Sequence, residues 1–78
     1  MTPEQLLGKY LRELRLSRGW TLEELSYRSG PHNAHLSHIE NGKRGITVKV
    51  LCKLSNAFGI SPGTILRESG YLNKIKSI

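Results

Sequence analysis

A chain of 78 residues can bury one small core, so a single domain must carry whatever it does, and no second domain of useful size fits beside it. Twelve Lys and Arg stand against six acidic residues, all Glu, for a formal charge of +6, which favours an anionic partner such as nucleic acid. With one cysteine, Cys52, no Asp, no glycine-rich phosphate loop, no secretory leader and no apolar run of membrane length, the chain reads as a soluble cytoplasmic protein, not an enzyme, needing no cofactor and touching no membrane.

The first helix is predicted to start at Pro3, because Thr2-Pro3-Glu4-Gln5 combines a cap, a proline at the first helical position and a Gln three residues after the cap. Leu6, Leu7, Tyr10, Leu11 and Leu14 form its apolar stripe, and Gly19 ends it near Arg18. Thr21-Leu22-Glu23-Glu24 repeats the capping pattern for a second helix, with Leu22 and Leu25 inward, closed by Gly30 and Pro31. Trp20, just before that cap, is placed to staple the helix to the body.

A third helix is expected to begin near His32 or Asn33 and to end at Gly42, where a residue able to take a left-handed conformation is wanted. Leu36 and Ile39 set its inward direction, which leaves Ala34, Ser37, His38 and Asn41 facing out, with Asn33 and His35 on the flanks. Thr47 caps a fourth helix carrying Val48, Leu51, Leu54 and Phe58, with Cys52 read as an interior or boundary residue. Ser61-Pro62 opens a fifth, with Ile65 and Leu66, ended by Gly70. The fold class is therefore all-α. Residues 71 to 78 place Tyr71, Leu72, Ile75 and Ile78 at helical spacing, as a sixth element, a tail packed on helix 1 or a dimerisation arm.

The stretch Leu-Arg-Glu-Leu-Arg at 11 to 15, Gly19-Trp20-Thr21, Glu24-Leu25-Ser26, Gly30, the run Leu36 to Arg44 and Leu54 to Ser61 together resemble the phage repressor and Cro-type helix-turn-helix proteins of the XRE family, over residues 11 to 66. The resemblance implies a five-helix, lambda-repressor-like DNA-binding domain over residues 1 to 70 with a short C-terminal extension at 71 to 78. It also implies a structural ion pair between Arg15 and Glu40. The small Ser26 suits the close crossing of helices 2 and 3, and Gly30 the tight turn between them.

Carried onto helix 3, the resemblance assigns base contacts to His32, Asn33, Ala34, Ser37 and His38. An Asn amide can pair with adenine N6 and N7, Ala can meet a thymine methyl, and His or Ser can bond several bases. Asn33 is equally suited to capping the helix, and Ala34 to allowing close approach. Phosphate contacts fall to the helix 2 start at Thr21 and Leu22, to Arg28 and His35, and to Asn41, Lys43 and Arg44 past helix 3. Family members often have Gln where Leu22 stands, Tyr where His35 stands, Val and Ser where Pro31 and His32 stand, and a proline near Gly45-Ile46. The first difference removes a side-chain phosphate contact, and Glu23 repels an anion there.

His32, His35 and His38 recur every three residues on this helix. As a zinc site they fan too widely, with no Cys or Asp to complete a tetrahedron. If a phosphate favours a charged ring at His35 or His38, DNA binding strengthens as pH falls through about 6.5; the alternative is neutral polar contacts. The expected function is that of a sequence-specific transcriptional regulator, most simply a repressor, binding double-stranded DNA as a homodimer. The competing class is a protein-interaction module of the same fold, such as an antitoxin or anti-repressor. That class calls for exposed Leu, Phe or Trp on helix 3, which has none.

Overall fold

A computed structural model describes residues 1–75. They form six helices, α1 Pro3–Ser17, α2 Leu22–Ser29, α3 Asn33–Glu40, α4 Val48–Phe58, α5 Pro62–Glu68 and α6 Tyr71–Ile75, with no strand among the described residues. Ile78, expected at helical spacing with Tyr71, Leu72 and Ile75, lies outside them.

Side-chain caps start five of the helices. Thr2 closes a full capping box on α1: its Oγ1 accepts the Gln5 amide at 3.1 Å, and Gln5 Oε1 accepts the Thr2 amide at 2.8 Å. Thr21, Thr47 and Ser61 each accept the amide three residues on, starting α2, α4 and α5. α3 is capped by His32, whose Nδ1 accepts the Ala34 amide. Each bond satisfies an amide that the first helical turn leaves without a carbonyl.

The core takes Leu7 and Leu11 from α1, Leu25 from α2, Leu36 and Ile39 from α3, Leu51, Leu54 and Phe58 from α4, and Ile65 from α5. α1 lies against α3, α5 and α6, and α2 against α3 and α4. The described part of the tail is thus a sixth helix packed on α1 and α5, with Tyr71 half-buried and Leu72 and Ile75 exposed.

Two expectations need correction. Val48, placed on the inner stripe of α4, is 76% exposed at the first position of the helix, whereas Leu51 three residues on is buried. Cys52 is exposed rather than interior, since α4 turns the neighbouring Leu51 inward and Cys52 away. Gly42 ends α3 as expected, standing two residues past Glu40 in a Schellman turn. Gly42 takes φ +70°, its amide bonding Ile39 and the Lys43 amide bonding His38.

Candidate nucleic-acid interface

The angle between α2 and α3 is set by a short turn with its own bonds. The Gly30 amide returns to the Ser26 carbonyl at 2.8 Å, and Ser26 Oγ donates to the Pro31 carbonyl at 2.6 Å. Ser26 is therefore a clamp on the turn as well as a small residue at a crossing. Pro31 is buried, and His32 then begins α3.

At its other end α3 is held by Arg15. Its Nε and Nη2 donate to the two Glu40 carboxylate oxygens at 2.7 and 3.0 Å, and its Nη1 donates to the Trp20 carbonyl at 2.8 Å. One guanidinium thus ties the last residue of α3 to the α1 end and to the entry of α2. Both side chains are at most 10% exposed. The bond to Glu40, outweighing the cost of burial and helped by the charges of Glu40 and Glu23, raises the Arg15 pKa above its ordinary value.

α1 has made room for this arrangement at Gly8, a residue not singled out by the sequence reading. A Cβ there would lie 2.8 Å from the Glu40 carbonyl carbon and nearer still to the Ile39 and Glu40 carbonyl oxygens. The available signal was a lone glycine inside a helical pattern, which points to a close approach as readily as to a tolerated defect. Gly42 sits equally close to Gln5, where a Cβ would meet the Gln5 Cγ at 2.6 Å.

With Leu36 and Ile39 buried, α3 presents His32, Ala34, His38 and Asn41 exposed and Asn33, His35 and Ser37 half-buried. The Asn41 amide lies 3.5 Å from Ser37 Oγ, a contact at the limit of a hydrogen bond that leaves both groups able to take other partners. Asn33 is the first residue of the helix and not its cap. Lys43 and Arg44 follow the Schellman turn, exposed and without an ion pair among the described residues. At the start of α2, Thr21 occupies the Glu24 amide. The Leu22 and Glu23 amides have no hydrogen-bond partner among the described residues.

Arg28 is placed differently. Its Nε donates to Glu24 at 2.8 Å, one turn back, and its guanidinium lies 4.4 Å from the centre of the Trp20 ring. Trp20 stacks on Phe58 with ring centres 5.4 Å apart, and Arg18 donates to the Phe58 carbonyl at 2.8 Å. These contacts seat the α1–α2 turn on α4, and Glu24 engages only the Nε of Arg28, leaving its Nη donors available to an anion.

Known proteins share this architecture. The family described as Helix-turn-helix matches residues 11–65. Over 61 residues the chain is 39% identical to an uncharacterised HTH-type transcriptional regulator of Sinorhizobium fredii, covering 78% of this chain and 79% of that one. It is 38% identical over 72 residues to the HTH-type transcriptional repressor RghR of Bacillus subtilis, covering 87% of this chain and 51% of RghR, so it spans about half that protein. The crystal structure of the clp gene regulator ClgR from C. glutamicum matches with a TM-score of 0.80 at 30% identity, over 90% of this chain and 91% of that one.

Proposed function

The chain belongs to the helix-turn-helix family of DNA-binding transcription regulators, and on that premise we propose that it is a repressor reading a two-fold operator with α3 in the major groove. It acts in the cytoplasm as a homodimer whose two α3 helices enter successive major grooves about 34 Å apart. The observation that carries this reading is the α3 surface: polar and uncharged in its middle, with Lys43 and Arg44 at its end without an ion pair among the described residues, and no large apolar side chain exposed on it. Groove edges demand that combination, whereas a protein-binding helix would present an apolar anchor.

Asn33, Ala34, Ser37 and His38 face base edges, joined by His32 at the helix start. The Leu22 and Glu23 amides beside Thr21, together with His35, Asn41, Lys43 and Arg44, meet phosphates. Arg28 joins them through the Nη donors that Glu24 leaves free. Leu72 and Ile75 on α6 offer an exposed apolar ridge for the second copy.

Selection of bound sites from a random DNA pool tests the reading, and an enriched sequence with half-sites one helical turn apart is the expected return. On that sequence Asn33→Ala should weaken binding by about 1 to 3 kcal/mol while leaving random-sequence affinity and the salt slope nearly unchanged. Lys43→Ala should weaken every sequence alike and lower the slope of log affinity against log salt by about one. Equal losses on operator and random DNA for Asn33→Ala would remove that residue from the reading set.

A further inference from the structure

The bond that starts α3 also fixes the chemistry of its first outward side chain. The Ala34 amide lies 3.1 Å from His32 Nδ1, and an amide N–H can only donate, so Nδ1 is an acceptor and carries no proton. The neutral ring must then hold its proton on Nε2, at the opposite edge of the imidazole. His32 is exposed, with the extended backbone of a cap at φ −63° and ψ 145°. Among the described residues neither His35 nor His38 makes a side-chain hydrogen bond, so nothing comparable selects a tautomer for those rings.

We propose that His32 is a specificity-determining residue that meets DNA only as a hydrogen-bond donor, through Nε2–H, and that it selects guanine at the base pair beneath the start of α3. This rests on the reading of α3 as the helix that enters the major groove. An unconstrained histidine can donate or accept and so tolerates several bases; the cap removes the accepting option. In the major groove guanine shows two adjacent acceptors, N7 and O6, and no donor. Adenine sets a donor beside its one acceptor, thymine a methyl, and cytosine shows only a donor. A lone N–H therefore finds a partner on guanine in either of two positions and is left unpaired on cytosine. The two consecutive residues divide the work: His32 supplies one fixed donor, and the Asn33 amide supplies both a donor and an acceptor.

The test has two arms on the whole chain. Side-chain nitrogen NMR of the free protein near neutral pH should show His32 with its proton on Nε2; a proton on Nδ1, or an even mixture, overturns the proposal. The second arm is random-pool selection with the wild type and with His32→Ser, which keeps a good helix cap but offers a hydroxyl that donates or accepts with equal ease. Wild type should enrich a guanine at one position of each half-site that His32→Ser does not. Exchanging that G·C pair for C·G should weaken wild-type binding by about fivefold to tenfold and the variant by less than twofold. If both proteins return the same site with the same base preference, the DNA reading stands and the role of His32 falls. If the wild type enriches no sequence at all, the reading of α3 falls and the proposal with it.

Discussion

Glu40→Ala is expected to cost about 3 to 5 kcal/mol of folding stability. The reason is what it strands. Arg15 would remain buried with its bond to the Trp20 carbonyl but without the carboxylate that now takes two of its donors at 2.7 and 3.0 Å. A domain of 78 residues has about 4 to 12 kcal/mol in total, so the substitution removes between about a quarter and all of it. Urea unfolding followed by circular dichroism measures it, and a loss under about 1 kcal/mol would show the pair to be solvated. The double variant Arg15→Met, Glu40→Leu should recover most of the loss, because the desolvation of two charges disappears with the pair. Because the Arg15 pKa is raised, the stability it carries is present at every pH below the ordinary arginine range and is lost only as pH climbs through the raised value. The cost of Glu40→Ala should therefore show no dependence on Arg15 titration between about pH 6 and 9.

Gly8→Ala is the second large effect, and its sign opposes helix propensity. In an isolated helix the change would stabilise by about 1 kcal/mol. Here the new methyl would enter the space of the Ile39 and Glu40 carbonyls, backbone atoms that cannot rotate away. The end of α3 would have to retreat from α1, and a net loss of about 2 to 3 kcal/mol is expected. That corresponds to a fall in Tm of roughly 10 to 20 °C for a domain of this size. Gly63→Ala in α5 is the internal control, since a Cβ there meets only the tip of Arg67 at 3.8 Å. It should be neutral or stabilising by up to about 1 kcal/mol. Thermal melts of the two variants side by side decide the matter, and equal stability for both would mean that α1 and α3 do not approach so closely.

The fold was largely legible because its starts are written in short polar signals. Thr2, Thr21, Thr47 and Ser61 cap the helices where their spacing predicts, and Leu11, Leu25, Leu36, Leu54 and Ile65 are buried as their periodicity requires. What periodicity cannot carry is the identity of the neighbour. Val48 shares the spacing of Leu51 yet faces solvent, and Gly8 looks like a flaw in α1 until α3 is laid against it. The same limit applies at the interface. Arg28 and Glu24 are visibly one turn apart, but the stacking of Arg28 on Trp20 depends on how the α1–α2 turn folds over α4. His32 and Asn33 can both cap a helix, and only the backbone path after Pro31 gives the role to His32.

Gln5 links two places that a linear reading keeps apart. Its side-chain Oε1 closes the first turn of α1, while its own backbone forms the floor under Gly42, 37 positions along the chain. Fraying at the end of a surface helix is ordinarily harmless, a local event of nearly zero free energy. In this molecule the same loosening would remove support from the turn that carries Lys43 and Arg44. The first turn of α1 is thereby coupled to the proposed grip on DNA, and by reciprocity a bound duplex should make the frayed state of that turn rarer.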